Sequence, residues 1–578
     1  MTKQVKLSDN ALQVAQSRYF MNGEDWEGCA KRVARTIASP ETKDRDLIES
    51  QFADMIYNMD FLPGGRILRN SGRTRGSLFN CYHLPIGDSI EEIGQFIKDA
   101  LILWSEGGGV GCNFSPLRPK NDPILGKGGK SSGLVSFMEA ADYVSKTIES
   151  GGSRRAAAIG HIDVSHPELN DFIDAKLVHG RLSHFNISVG VTHEFLEAVE
   201  ADADWEFRFK QRVYGKTKAR KIWKKIVTNM LECAEPGLLN WTNFSKNNSY
   251  YFEPVLGTNP CGETTLGPYG ACDLGSLVLP SFITGNINTN WKKLEQVIRQ
   301  AVRFLDNVIE VNKYILREID VSAHKSRRIG IGVIGLAEYL FAKKLRYGSE
   351  KSVQEVERLV QFIKNAAYQA SIELAVEKGS FPMFDPIPYS KSSFIRKKLP
   401  AKIRMDIKKH GIRNCTLMAF APTGTISLLA DYTSGVEPLF AKALHRKDRV
   451  GDRMYVHPLY AEIIQNGEET PEWFVDSFDL DPKDHFEIQV ACQKFCDASV
   501  SKTINLPKKT TYDNLNDLLL EYIYDLKGVT VYRDGSREGQ ILNRVPHDEV
   551  VKYMNTDHAV EHNLEVDDVK CSTGSCEL

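Results

Sequence analysis

The sequence predicts an α/β protein built on a mostly parallel sheet or barrel. Three observations carry that reading. Short β-branched or apolar runs such as Phe185–Val191 and Ile329–Ile334 alternate with longer helix-like stretches such as Lys293–Tyr314 and Lys351–Glu377, the alternation from which parallel sheets are built. The 42% hydrophobic and 26% charged residues are those of an ordinary globular chain rather than a disordered or disulfide-stapled one. The 578 residues suffice for a large core, as several ordinary domains or as one large α/β domain with additions.

In chain order, residues 1–60 read as a small N-terminal helical region, amphipathic over Asn10–Tyr19 and Arg45–Met59, with polar connections between. Residues 61–545 carry the alternating pattern. Residues 546–578 open with Pro546 and hold eight acidic residues and two lysines, the composition of a flexible tail. Lys and Arg total 73 against 75 Asp and Glu, a net charge of −2, so no global field favours a nucleic-acid partner. No apolar run reaches the roughly 20 residues of a membrane span and the N-terminus lacks a signal-like apolar stretch, so the expected compartment is the cytoplasm, with no membrane partner. Eleven cysteines, an odd number in a reducing setting, point to chemistry or burial rather than to a disulfide framework.

Cys261 stands in Thr258-Asn259-Pro260-Cys261-Gly262-Glu263, a short polar stretch in which Pro removes a backbone donor and Gly permits tight backbone approach, as at a loop tip. A carboxylate two residues from a thiol can serve as a general base, and the Asn amide can orient a hydroxyl. By itself the hexapeptide reads in most instances as a turn with an incidental cysteine. Cys81 and Cys272 each border an apolar run and read individually as core cysteines, as do Cys29, Cys112, Cys233, Cys415, Cys492 and Cys496. Cys571 and Cys576, spaced Cys-x4-Cys on the acidic tail, have no core to join. No further ligands accompany them, so no metal site is assigned, and thiol–disulfide exchange suits the pair better. Some 25 flexible residues span roughly 25–30 Å, enough to enter a cleft of the same or a neighbouring chain.

Gly330-Ile331-Gly332-Val333-Ile334-Gly335 spells a dinucleotide fingerprint, but the polar, basic Ser322–Arg328 stands where that motif needs a strand. Gly129-Lys130-Ser131 ends like a nucleotide-hydrolase phosphate loop, yet Ile124 occupies the place of the upstream glycine. Ala421–Ser427, a small-residue turn with three hydroxyls, can present backbone N–H groups to phosphate at a helix start or form an ordinary cap through Thr423 or Thr425. Gly107–Gly111 offers either close approach to a ligand or a tight turn.

Together these segments resemble the catalytic chain of ribonucleotide reductases, most of all the class II, adenosylcobalamin-dependent branch. The likeness covers about residues 60–545 and the last eight. It rests on the ordered set Phe79–Cys81, Gly107–Asn113, Gly151–Arg155, Asn259–Glu263, Cys272, Arg328–Gly335, Pro422–Ser427, Ser501–Pro507 and Val531–Arg537, which also removes the dinucleotide reading. The resemblance implies a ten-stranded α/β barrel of two five-stranded parallel halves, with Asn259–Glu263 on a central finger loop. It implies that Cys261 becomes a thiyl radical that takes the ribose 3′-hydrogen, that Glu263 takes the 3′-hydroxyl proton, and that Asn259 holds the substrate hydroxyls. Cys81 and Cys272 would supply the reducing equivalents and close to a disulfide, which requires Cα atoms within about 7 Å. Cys571 and Cys576 would reopen it and be recharged by a thioredoxin-like reductant.

By the same likeness the ribonucleotide substrate contacts Pro260, Gly262 and, through its phosphates, Pro422, Thr423, Gly424, Thr425 and Ile426, with Gly65, Asn80 and Gly109. Relatives commonly carry Ser or Thr in place of Gly65, so only its backbone can serve. Asp88, Ser89 and Arg118 would bind a deoxynucleotide effector at a subunit interface, and the loop Gly151–Gly160 would relay its identity to the substrate base. Homodimer and monomer both stay open. A class I catalytic subunit, fed by a separate metal-radical subunit, is the alternative; the lone Tyr532 where that class carries paired tyrosines favours cobalamin, whereas the Cys-x4-Cys tail suits either. A non-catalytic nucleotide-binding regulator is a third reading.

Overall fold

The computed structural model describes residues 5–555 apart from 125–127, 151–153, 156, 179, 286, 449–450 and 537–541. Its first segment is helical, with helices Asp9–Arg18, Trp26–Ile37 and Arg45–Tyr57. The middle helix lies where the sequence suggested only polar connections. Lys31 and Arg35 are exposed on its outer face, while Trp26, Cys29, Ala30, Val33, Ala34 and Ile37 return every three or four residues and are buried. Asp25 caps it by accepting from the Gly28 N–H at 2.7 Å.

The body is α/β, with a seven-stranded sheet and a three-stranded sheet beside it. In the first, the strands Cys81–His83, Gly109–Asn113, Ala158–Asp163, Phe185–Val191 and Gly237–Asn240 lie side by side and parallel. Gly528–Arg533 joins them antiparallel to Gly237–Asn240, and Thr503–Leu506 pairs parallel with it. The second sheet places Leu274–Val278 between Phe61–Pro63, antiparallel, and Gly330–Ile334, parallel. Single bridges link the sheets: Tyr82 with Ala271, antiparallel, and Ile331 with Met418 and Phe420 with Val500, both parallel. Helices such as Trp291–Val311 and Glu350–Lys378 cover the strands with apolar faces in the principal core. The alternation read from sequence thus becomes strand and helix very nearly where expected, because buried strands and long amphipathic helices carry the strongest patterns.

The segment between the sheets is a hairpin. Gly257–Thr258 pairs antiparallel with Thr265–Leu266, leaving residues 259–264 at its tip. The hairpin lies directly on Gly109–Asn113: a Cβ on Gly111 would stand 1.9 Å from the Thr258 carbonyl oxygen. Thr258 also meets the His161 ring, Oγ1 to Nε2 3.1 Å.

At the other end, the stretch read as the start of a flexible tail continues as helix His547–Asn555. Val550 is fully buried in a satellite cluster with Phe341, Tyr460 and Phe474, and Tyr460 Oη lies 2.7 Å from His547 Nδ1. A few apolar side chains dock this acidic segment, which composition alone could not reveal. Cys571 and Cys576 lie outside the described residues. Among the described residues, no helix is long and apolar enough to cross a membrane.

The hairpin packing predicts that Gly111→Ala forces the loop off its strand and costs about 1–3 kcal/mol of stability, to be read as a lowered midpoint in thermal or denaturant unfolding; an unchanged midpoint would contradict it.

Candidate active site

The antiparallel bridge Tyr82–Ala271 sets Cys81 directly opposite Cys272, and the Cys272 N–H donates to the Cys81 carbonyl at 2.9 Å. Opposed residues of an antiparallel pair have Cα atoms about 4.5–5.5 Å apart, inside the disulfide range. Both thiols are buried, and Cys261 from the hairpin tip packs into the same small cluster, with Leu266, Leu274, Ala419, Ala421 and Ala498. Three cysteines far apart in sequence therefore share one packed cluster. Their neighbour Gly109 is closely covered: a Cβ there would stand 3.0 Å from Pro260 Cγ and 3.1 Å from Cys81 Sγ.

The hairpin tip is held by its own polar groups. Asn259 Oδ1 accepts from the Thr264 N–H at 3.0 Å, and the Gly262 N–H donates to the Asn259 carbonyl at 3.0 Å. Gly262 takes φ +80°, the left-handed turn that glycine accommodates without strain. Beyond the tip, the Glu263 carbonyl accepts from the Ser499 N–H at 2.8 Å. Asn259 and Glu263 are fully buried, and Asn259 Nδ2, both Glu263 carboxyl oxygens and Asn80 Oδ1 make no hydrogen bond of good geometry. Burial pushes the Glu263 carboxyl up to about 7, against a smaller downward pull from the Asn259 amide. Burial and then Glu263 push the Cys272 thiol well above its ordinary value, while Arg328 pulls it down.

Cys261 is only half-buried. It lines a cavity of about 70 Å³ with Pro260, Gly262, Leu239, Thr503 and Thr530. Helix Gly424–Ala430 starts at Thr423, which is not a side-chain cap. Its Oγ1 instead accepts from the Gly435 N–H, and its own N–H donates to Ser434 Oγ, each at 3.0 Å. The ordinary cap through Thr423 is thus absent, and its hydroxyl closes the Pro422–Ile426 turn. The N-terminal helix Asp9–Arg18 packs on this short helix. Gly65 begins helix Gly65–Asn70, and the preceding Gly64 lies against the Asn80 amide and the Leu274 carbonyl.

Away from the cysteines, Asp88, Ser89 and Arg118 come together. Asp88 Oδ1 accepts from the Arg118 backbone N–H at 2.9 Å and from its Nε at 3.0 Å. Ser89 caps helix Ile90–Ser105, and Lys210 Nζ reaches Asp88 Oδ2 at 3.5 Å. Of the loop 151–160, residues 151–153 and 156 lie outside the described residues.

The chain that builds this site has a family counterpart. The ribonucleotide reductase barrel domain matches residues 79–532, and the all-alpha domain of the same enzymes matches residues 5–76. The chain belongs to the ribonucleotide reductases. It is 37% identical to the vitamin B12-dependent ribonucleoside-diphosphate reductase of Mycobacterium tuberculosis, over 93% of this chain and 81% of that one. It is 33% identical to the protein so named in Thermoplasma acidophilum, over 91% and 72%. The ribonucleoside-diphosphate reductase subunit alpha of Chlamydia trachomatis is 25% identical over 83% of this chain and 51% of its own.

Sequence reasoning missed several groups that shape this reductase site. His83 and His161 sit beneath Gly257, whose Cβ would stand 2.5 and 2.9 Å from their ring nitrogens. Buried Asp497 accepts from the N–H groups of Leu417 and Met418 at 2.9 and 2.8 Å, fixing the strand-like run beside the cysteines. Arg328, quoted only as part of a motif, is buried next to Cys272 in register. None has a local spacing signal; their roles exist only once strands from distant segments pair. Cys233 is half-buried rather than core, whereas Cys29, Cys112, Cys415, Cys492 and Cys496 are buried.

The Glu263 carboxyl predicts a pH dependence of stability. Its folded value of about 7 lies above the ordinary 4.5, so its contribution is complete below about 4.5 and is lost as pH rises through about 7. Glu263→Gln is expected to flatten that fall in unfolding free energy between pH 5 and pH 8; parallel profiles for parent and variant would contradict the assignment.

Proposed function

We propose that the chain reduces ribonucleoside diphosphates to 2′-deoxyribonucleoside diphosphates by a thiyl-radical mechanism, with adenosylcobalamin as the radical source. The observation that carries the reading is the convergence of Cys81, Cys272 and Cys261 with Asn259 and Glu263 in one buried site. Cys261 is the oxidant and Cys81 and Cys272 the reductants. The unmet polar atoms of Asn259 and Glu263 are what a ribose requires: an amide to hold hydroxyls, and a carboxyl near neutrality to take a proton. As the 2′-hydroxyl leaves as water, the opposed thiols supply two electrons and close to a disulfide within range for that bond.

The phosphates rest on the Pro422–Ile426 turn, supported by Gly65, Asn80 and Gly109. A ten-stranded barrel is the architecture that suits such a site. The five parallel strands of the first sheet, the second sheet and the single bridges at Tyr82, Ile331 and Phe420 support that reading.

The cavity of about 70 Å³ that Cys261 lines is far too small to enclose adenosylcobalamin, which would have to lie outside it, beside the half-buried Cys261 sulfur. When bound there, adenosylcobalamin supplies the one-electron chemistry that makes the Cys261 sulfur a radical. The B12-dependent names of the relatives favour this source over a separate metal subunit, and Tyr532, buried in strand Gly528–Arg533, has no adjacent tyrosine.

The ion-paired Asp88 and Arg118 with the helix cap Ser89 form the effector site of a homodimer. The tail cysteines Cys571 and Cys576 return electrons from a thioredoxin-like reductant.

The isolated chain is expected to turn over nucleoside diphosphates when given adenosylcobalamin and dithiothreitol. Cys261→Ser should abolish product while nucleotide binding by equilibrium dialysis stays near the parental level. Turnover only with an added diiron or dimanganese partner, or product from Cys261→Ser, would refute the proposal.

A further inference from the structure

A second cavity, of about 300 Å³, is lined by helices Ser393–Lys398 and Pro482–Gln493 and by the turn before strand Gly528–Arg533. Three lysines face it, Lys398, Lys494 and Lys527, with Glu357 and Asp525. Glu357 is taken, since both its carboxyl oxygens stand 2.8 Å from Lys494 Nζ, and Asp525 is exposed to water. Lys527 is buried, and its Nζ donates to two neutral carbonyls, those of Asn247 at 2.9 Å and Asp497 at 2.7 Å. Lys364, fully buried, adds a further ammonium that donates to the Lys398 carbonyl. Among the described residues, Lys364, Lys398 and Lys527 have no carboxylate partner. Asp497 acts on both buried amines from beyond ion-pair range, but its carboxyl already accepts from the Leu417 and Met418 N–H groups and the Tyr368 hydroxyl. Burial pulls the Lys364 and Lys527 amines down to about 8, and Lys398 adds to the fall at Lys364. Buried charges in native proteins are paired, so this group is short of negative charge.

An independent observation lies on the same wall. Gln493 is only 7% exposed, and its Nε2 donates to the Cys496 and Ala498 carbonyls at 3.3 and 3.4 Å, while its Oε1 has no donor among the described residues. A buried amide oxygen left without a donor is uncommon, and this one calls for an N–H or O–H from whatever fills the cavity. Phe394 and Tyr524 add aromatic surface.

We propose that this cavity binds a phosphate-bearing small molecule, whose anionic oxygens meet Lys398 and Lys527 and whose own N–H or O–H group donates to Gln493 Oε1. Lysine ammonium groups bind phosphate as point charges, and an ammonium has three N–H donors, of which Lys527 gives two to carbonyls. The volume stands at the lower end of the roughly 300–1,000 Å³ of small-ligand sites, a size for a nucleotide or something smaller. The cavity shares no lining residue with the cysteine cluster or with the Asp88–Arg118 pair, so the site stands or falls independently of the reductase reading.

The test follows lysine reactivity in the full chain. A brief pulse of acetic anhydride is given without ligand, with sodium pyrophosphate, or with adenosine 5′-monophosphate, and acetylation is read lysine by lysine by peptide mass spectrometry. Saturating ligand should slow acetylation of Lys398 and Lys494 by about tenfold or more, while the exposed Lys508 reacts as before. In Lys398→Gln, protection of Lys494 should need about tenfold more ligand. Protection by pyrophosphate alone, or by both probes at like concentrations, identifies phosphate as the recognised group; protection at lower concentrations of the adenosine monophosphate identifies a nucleotide. Unchanged acetylation of Lys398 with either probe, or Lys494 protection undiminished in Lys398→Gln, overturns the proposal.

Discussion

The site depends on one close approach of backbone to backbone. The hairpin that carries Cys261 lies on Gly109–Asn113 with no side chain between them, and any Cβ at Gly111 would enter the Thr258 carbonyl. That contact sets the position of the tip over the strand pair that bears Cys81 and Cys272. The bonds above it, Thr258 to His161, Asn259 to Thr264 and Ser499 to Glu263, fix the tip's orientation. Interiors are packed too tightly to take up an added methyl group without movement, so two glycines of one short strand hold three sulfurs in register.

The same enclosure sets the electrostatics. A dry pocket raises the free energy of every charge placed in it, which pushes the Cys272 thiol well above its ordinary value and brings the Glu263 carboxyl near neutrality. A carboxyl so poised can take a proton and give it back at little cost. Buried polar atoms without partners are rare in native proteins; here Asn80, Asn259 and Glu263 carry them within one site, an arrangement a bound sugar would satisfy.

Much of this was legible in the chain before its fold. Strands such as Phe185–Val191 and helices such as Glu350–Lys378 have apolar periods long enough to declare themselves, and Asn259–Glu263 has a composition that only a loop tip tolerates. Helix Trp26–Ile37 was not legible, because its lysine and arginines hide a buried stripe spaced at helical intervals. Helix His547–Asn555 was obscured by acidic neighbours, although a single buried valine helps to dock it. The pairing of Cys81 with Cys272 came from resemblance; no local pattern expresses it, since it depends on a bridge between two sheets. Arg328 beside Cys272 and Asp497 beneath Leu417 belong to the same class of fact, created by strand register rather than by spacing. Of the caps that the sequence left open at Thr423 or Thr425, the one through Thr423 gives way to a bond from the Gly435 N–H, a competition that only the folded turn decides.

The most direct test counts electrons at the thiols. Fully reduced protein lacking both tail cysteines, given nucleoside diphosphate and adenosylcobalamin but no external reductant, should make at most one deoxynucleotide per chain. Each product should be matched by the loss of two free thiols, mapped to Cys81 and Cys272. Sustained product with every thiol retained, or thiol loss mapped to other cysteines, would contradict the account.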